Sequence, residues 1–235
     1  MKHEVVPTSN VIKAVNMMED LRSASAGEEK MGLIHGNPGL GKTTAVTHLT
    51  QRTNGVFLRA RVSWTVRSML QSIQRELGQE PGHFSDPMVE EVVQSLALDP
   101  RPLIIDEADY LLRQIDMLDA LRDIYDTAQV PVVLVMMKEA PRKIRSKSRL
   151  SRFKRRITQW VEFEPISLED VERTAETMAE VEVQCGLLER IHEETAGNMG
   201  KVVIALAKVE EFAKTNDLTK VGLSEYGERP LDQSA

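Results

Sequence analysis

Residues 36–44 read GNPGLGKTT, preceded by the apolar run MGLIHG and continued by KTTAVTHLTQRTN, a polar-apolar stretch. No other stretch limits the fold as strongly. The pattern G-x-x-x-x-G-K-[ST] has a mechanism only where a strand enters a loop that opens a helix. Gly36, Gly39 and Gly41 let the backbone curl so that its N–H groups and the helix N-terminus face anionic oxygens. The stretch therefore predicts a strand, a phosphate-holding loop and a helix, the opening unit of an α/β layer fold.

A second stretch, LIIDEAD at residues 103–109, places Asp106 and Glu107 at the carboxyl end of an apolar strand, where open parallel sheets put their ligands. The two stretches together predict ATP hydrolysis with Mg²⁺. The ATP-binding candidates are Gly36, Asn37, Pro38, Gly39, Leu40, Gly41, Lys42, Thr43 and Thr44. Lys42 is expected to reach the β- and γ-phosphates, Thr43 and Asp106 to hold Mg²⁺, and Glu107 to orient or deprotonate the attacking water. Asp109 reads either as an assistant to that water or as a cap or first-turn acid of the next helix.

The remaining elements alternate. Thr8 and Ser9 precede a helix through about residue 25, GVFLRAR (55–61) reads as a second strand, and TVRSMLQSIQRELG as an amphipathic helix ended by Gly78. Another helix leads into LIIDEAD. Leu111, Ile115, Leu118, Leu121 and Tyr125 mark a helix after it, and VPVVLVMM and ITQWVEF are the fourth and fifth strands. Such alternation predicts a parallel sheet with right-handed crossovers. From PISLEDVERTAETMAEV onward only helices are expected, with Ser167 and Asp170 resembling a capping box and DLTKVGLSEYG as a short last helix. The expected division is a nucleotide-binding α/β domain with its N-terminal helix over residues 1–164, a helical domain over 165–226 and a flexible tail over 227–235.

Aromatic residues at 4%, against 41% hydrophobic residues, suit helices on a parallel sheet better than a β-sandwich. Cys185 is the one cysteine, so neither an intramolecular disulfide nor a Cys-based metal cage can form, and a buried thiol is expected. His3, His35, His48, His83 and His192 lack metal-ligand spacing. With no apolar leader and no run near the roughly 20 residues of a membrane span, the chain is expected in the cytoplasm, away from membranes.

Charge is distributed unevenly. From Glu162 onward there are 17 acidic and 7 basic residues, a net of −10, which leaves +4 on the first 161 residues of a chain whose total is −6. Within that basic part, RKIRSKSRLSRFKRRI (142–157) packs nine Lys and Arg into sixteen positions. Ile144, Leu150 and Phe153 recur at loosely helical spacing, leaving Lys143, Arg145 and Lys147 to face DNA phosphates or solvent. A second DNA-facing candidate follows the second strand: Arg59, Arg61, Trp64, Thr65 and Arg67, with core packing as the alternative for Trp64.

GNPGLGKTT, LIIDEAD, the fourth strand VVLVMM and the helical C-terminal part together resemble the AAA+ ATPase superfamily over nearly the whole chain. The resemblance implies a five-stranded sheet of order 5-1-4-3-2 and a C-terminal helical lid. It also implies an arginine before the fifth strand that completes a neighbouring subunit's ATP site. Arg152 of SRF fits, with Arg149, Arg155 and Arg156 as rivals, and the active form is then an oligomeric ring or filament. Two positions depart from the pattern. Met136 and Met137 stand where a polar residue commonly follows the fourth strand, with Lys138 next as a stand-in, and Lys201 stands where the lid commonly carries an arginine. Slow hydrolysis, with ATP used mainly as an assembly switch, is the expectation.

Within the superfamily, VFLRARVSWTVRSMLQSIQRELG and SRFKRRI are similar to the group containing the phage Mu B transposition protein. That likeness implies a protein that oligomerises on double-stranded DNA, delivers target DNA and stimulates a transposase. Replication-initiation or helicase-loading ATPases share much of the pattern and form the alternative. A P-loop switch acting on protein partners without DNA is the reading from another class.

Overall fold

Short apolar runs separated by amphipathic ones bury both faces of a sheet only when helices cross over on each side. In the computed structural model, which describes residues 1–2, 4–25 and 27–231, the chain follows that rule and divides into an α/β unit and a helical unit. The α/β unit comprises Lys13–Asn37 and Lys42–Glu162; the helical unit comprises Met1–Ile12, Pro38–Gly41 and Phe163–Ala235. The first twelve residues therefore group with the C-terminal helices, not with the α/β unit as the sequence reading has it. His3 and residues 232–235 of the expected tail lie outside the described residues.

In chain order the α/β unit holds most of α1 (Ser9–Ser23), then β1 (Met31–Gly36), α2 (Lys42–Thr53), β2 (Val56–Arg59), α3 (Val66–Glu76), α4 (Ser85–Leu98) and β3 (Leu103–Asp106). A 3₁₀ turn over Ala108–Arg113, α5 (Ile115–Ala128), β4 (Val132–Met137), α6 (Ala140–Ser146), a 3₁₀ turn over Ser148–Leu150, α7 (Ser151–Lys154) and β5 (Ile157–Phe163) follow. The five strands form a parallel sheet of order β2-β3-β4-β1-β5, which is the expected order read from the other edge.

β1, β3 and all of β4 except Met137 are buried, as strands covered on both faces must be. Parallel register then aligns their carboxyl ends: Arg59 lies opposite Asp106 and Gly36 opposite Met137. Against the sheet pack Met69, Leu70 and Ile73 of α3, Met88 and Val92 of α4, and Leu118, Leu121 and Tyr125 of α5. Burying each such side chain contributes roughly 1.5–3 kcal/mol.

Two local features differ from the sequence reading. The single helix expected from Leu111 to Tyr125 is two pieces: a 3₁₀ turn that opens on left-handed Glu107 (φ 53°, ψ 32°) ends at Arg113, and Gln114 is extended (φ −127°, ψ 99°) before α5 begins. The basic run is likewise three short helical pieces pinned by Ile144, Leu150 and Phe153, which are 0, 1 and 4% exposed.

The helical unit contains α8 (Leu168–Met178), β6 (Glu182–Val183), α9 (Cys185–Thr195), α10 (Met199–Thr215), β7 (Lys220–Val221) and α11 (Leu223–Tyr226) around Val171, Leu187, Ile191, Val202, Leu206 and Val209. Ser167 caps α8 by accepting the Asp170 N–H. The Asp170 carboxylate does not return the bond, as a full capping box would; it accepts instead from the Ser9 N–H (3.0 Å) and hydroxyl (2.6 Å). The two-residue parallel ladder of β6 and β7 was not anticipated. Residues 227–231 are packed, not frayed: Leu231 is buried and the Arg229 guanidinium lies 4.4 Å from the Phe212 ring centroid. Cys185 is exposed at the first position of α9, contrary to the expected burial.

Candidate functional site

Lys42 and Thr43 open α2, and Asp106 ends β3. The Thr43 hydroxyl donates to Asp106 Oδ2 at 2.7 Å, and the Glu107 N–H donates to Asp106 Oδ1 at 2.8 Å, so both oxygens of this 3% exposed carboxylate are bound. The Lys42 ammonium donates to the carbonyls of Gly36 (2.7 Å) and Asn37 (2.8 Å). Burial lowers its pKa, opposed by the charges of Asp106 and Asp109. Hard oxygen donors on Thr43 and Asp106 fit Mg²⁺, which takes one or two protein ligands and completes its shell with phosphate and water. Among the described residues no group of three His, Cys, Asp or Glu suits a metal held by the protein alone.

Glu107 sits in a left-handed backbone conformation that costs a non-glycine residue about 1–3 kcal/mol, and the Asp106 carboxylate holds the turn. Its side chain is gripped by Arg59 at the end of β2, whose Nε donates to Oε1 at 3.0 Å while Nη2 reaches the same oxygen. Arg59, expected on the DNA-facing surface, is thus committed to the strand-end acid. Parallel pairing of β2 with β3 was the signal, since it sets residue 59 opposite residue 106.

Asp109 accepts the Met137 N–H at 2.8 Å, tying the turn after β3 to the end of β4. Its Oδ1 is buried without a hydrogen-bond partner among the described residues, and burial raises its pKa while the Met137 N–H, Lys143 and Lys42 oppose the rise. The apolar end of β4 that the sequence flags, Met136 and Met137, therefore has a carboxylate beside it. Lys138, the expected stand-in, pairs with Glu162 at 3.4 Å.

In the helical unit, Gly39 (φ 79°) and Gly41 (φ 84°) use backbone conformations that L side chains rarely adopt, and a Cβ on Gly39 would lie 2.5 Å from the Asn198 side chain. Asn198 caps α10 by accepting the Lys201 N–H (3.2 Å) and donates to the Pro38 carbonyl (3.1 Å), while the Gly200 N–H donates to the Gly39 carbonyl (2.8 Å). Sequence reasoning singled out Lys201 and missed Asn198, although an Asn preceding a helix is an N-cap signature.

The arginine candidates separate. Arg156 forms two 2.6 Å bonds to Asp126, whereas Arg149, Arg152 and Arg155 are exposed and form no ion pair among the described residues. Lys143, Arg145 and Lys147 are exposed, and Arg145 stacks over Trp160 at 4.9 Å. After β2, Arg61 and Arg67 are exposed, but Trp64 is core, 6% exposed, and Thr65 is the N-cap of α3, accepting the Ser68 N–H. Trp64 thus takes the core-packing alternative, and the Thr65 hydroxyl, in an exposed residue, serves as a helix cap.

No helix among the described residues is long and apolar enough to cross a membrane. No curated protein matches the sequence. Among solved structures, the Aeropyrum pernix ORC2 protein, in ADPNP–ADP complexes, has a TM-score of 0.72 at 18% identity, over 96% of this chain and 68% of that one. The A. pernix ORC1 protein in complex with DNA gives 0.62 at 18% identity over 94% and 64%. The Thermotoga maritima RuvB Holliday junction branch migration motor gives 0.60 at 17% identity over 94% and 67%. Residues 25–144, just over half of the 235, match the family described as AAA domain. With the parallel sheet, the glycine loop and the strand-end acids in place, this chain belongs to the AAA domain family and has the body of an AAA+ ATPase.

Proposed function

We propose that this protein binds ATP and Mg²⁺, hydrolyses ATP slowly, and acts as an oligomer on double-stranded DNA in the manner of a replication-initiation or helicase-loading ATPase. The observation that carries the catalytic part is the Thr43–Asp106 hydrogen bond of 2.7 Å with Glu107 as the next residue. Thr43 and Asp106 would hold Mg²⁺, which when bound offsets the charge of the phosphates. Lys42 exchanges the carbonyls of Gly36 and Asn37 for β- and γ-phosphate oxygens. Glu107, once its carboxylate leaves Arg59, takes the proton of the attacking water as the bond from the γ-phosphorus to the bridging oxygen breaks and ADP departs. Arg152 of a second copy would supply the planar, permanently charged fork at the γ-phosphate.

DNA is supported by the exposed, unpaired cations after β4 and by the likeness to the ORC1 protein in complex with DNA. Likeness to ORC1 and ORC2 favours this reading over delivery of target DNA to a transposase, which rests on the sequence resemblance of residues 56–78 and 151–157. The deciding experiment measures ATP turnover and salt-dependent duplex binding by the purified chain, with Lys42→Ala as reference. A chain that neither turns over ATP nor binds duplex more tightly with ATP than without it would overturn the proposal. Pull-down of a replicative helicase and not of a transposase separates the two DNA readings.

A further inference from the structure

Beside the end of β1, between α6 and β5, lies a cavity of about 700 Å³ whose wall includes His35, Lys138, Arg142, Arg145, Trp160 and Glu162. None of the nucleotide chemistry above uses it. We propose that this cavity is a phosphate-binding site, additional to the glycine loop.

Three features define the ligand. The Arg145 guanidinium carbon lies over the Trp160 ring, 4.9 Å from its centroid, a contact that uses none of its five N–H donors in a hydrogen bond. Trp160 is itself fixed, because its Nε1–H donates to the Ile157 carbonyl at 3.1 Å. Arg145 is therefore a fork held over a fixed ring, and neither it nor Arg142 forms a hydrogen bond or ion pair through its side chain among the described residues. Planar guanidinium forks match the oxygens of phosphate in pairs, which an ammonium cannot do. The wall's acid, Glu162, is offset by Lys138 at 3.4 Å, so the two guanidinia remain as net charge. His35 also lines the cavity, 9% exposed, with Nδ1 buried and without a hydrogen-bond partner among the described residues; burial lowers its pKa, so it adds a neutral ring and no charge.

Both a nucleic-acid backbone and a free phosphate compound carry this chemistry. The choice of DNA as source rests on the DNA reading above, because Arg145 belongs to the run read there as phosphate-facing; the site itself does not depend on it.

Trp160 provides a direct readout. The other tryptophan, Trp64, is buried in the core, and Trp160→Phe identifies the signal. The full chain is titrated at constant ionic strength with a short DNA duplex, with inorganic pyrophosphate and with glutamate, and again as Lys42→Ala so that anions on the glycine loop do not contribute. Phosphate probes are expected to change Trp160 emission, and Arg145→Ala to move the midpoint about tenfold higher, the loss of one charge-assisted contact. Arg142→Ala should weaken binding in the same direction. Arg142→Ala should leave the melting temperature unchanged, and Arg145→Ala should lower it by no more than about 2–4 °C, the loss of one exposed contact to the Trp160 ring.

A response to duplex alone assigns the site to the DNA backbone, and a response to pyrophosphate as well assigns it to phosphate compounds generally. Silence with both phosphate probes, an equal response to glutamate, or an unchanged midpoint in Arg145→Ala overturns the proposal. If ATP turnover and DNA binding are present while Trp160 stays silent, this inference fails alone. If both are absent while pyrophosphate still changes the emission, the functional reading fails and the site stands.

Discussion

The carboxylates that end β3 and the cations that follow β4 lie in the same α/β unit, yet they are held in opposite ways. Asp106 is 3% exposed with both oxygens bound, Glu107 is gripped by Arg59, and Asp109 holds the Met137 N–H. Lys143, Arg145, Lys147, Arg149 and Arg152 are exposed and form no ion pair among the described residues. A buried charge survives only with partners, as Asp106 has, and the half-buried Glu107 and Asp109 are each held by a hydrogen bond of their own. An exposed cation keeps its hydration and its rotamer freedom until a polyanion displaces both. The first arrangement suits chemistry at a fixed point; the second suits a partner with repeating charge.

The largest expected effect tests the first half of that contrast. Glu107→Gln keeps the size of the side chain but removes the base, so ATP turnover should fall about 10²–10⁴-fold with nucleotide affinity retained. A turnover within a few fold of the parent would show that the strand-end carboxylate does not act on water. Arg59→Ala separates restraint from DNA contact: release of Glu107 should raise basal turnover several-fold, whereas a DNA role would lower duplex affinity and leave basal turnover unchanged.

The second half is tested by the exposed run. Changing Lys143, Arg145 and Lys147 together to Glu should weaken duplex binding and lower the slope of log affinity against log salt by about 2.7, near 0.9 for each lost phosphate contact. ATP binding by the monomer should persist. Arg152→Ala should reduce turnover and assembly but leave the melting temperature alone. Arg156→Ala should do the reverse, removing the Asp126 pair and lowering the melting temperature by about 2–4 °C for about 1 kcal/mol. Identical behaviour of the two arginine variants would erase the distinction.

The smallest effect lies in the helical unit. Burial pushes the Glu210 carboxyl up, but Lys214, the Met1 ammonium and the Glu180 N–H together bring it down to about 2. A depressed carboxylate pKa contributes stability above the ordinary value of 4.5, and that stability is lost as pH falls toward 2. The melting temperature should therefore drop across this interval, and Glu210→Gln should flatten that part of the curve.

Much of the fold, and the meeting of the glycine loop with the strand-end acid, was legible in the residues. GNPGLGKTT and LIIDEAD are local patterns whose backbone conformation depends on neighbours one to four positions away, and the structure sets the Thr43 hydroxyl 2.7 Å from Asp106. The break between Asp106 and α5 was not legible, because a left-handed Glu107 depends on a hydrogen bond to the preceding carboxylate and carries no glycine to announce it. Nor was the sorting of the arginines. Arg156 looks like Arg152 in sequence, and only the approach of α5 brings Asp126 to one and not the other.

By itself the sequence determined the alternation of buried strands and amphipathic helices, the phosphate loop and the acids at a strand end, because periodicity and backbone conformation act over a few residues. Tertiary structure decided which charges are spent and which remain: Arg59 on Glu107, Asp109 on Met137, Trp64 in the core, and Arg145 stacked on Trp160 beside an open cavity. Those pairings join residues from 15 to 48 positions apart. Parallel register and helix packing bring them together, and neither is written in any short stretch of the chain.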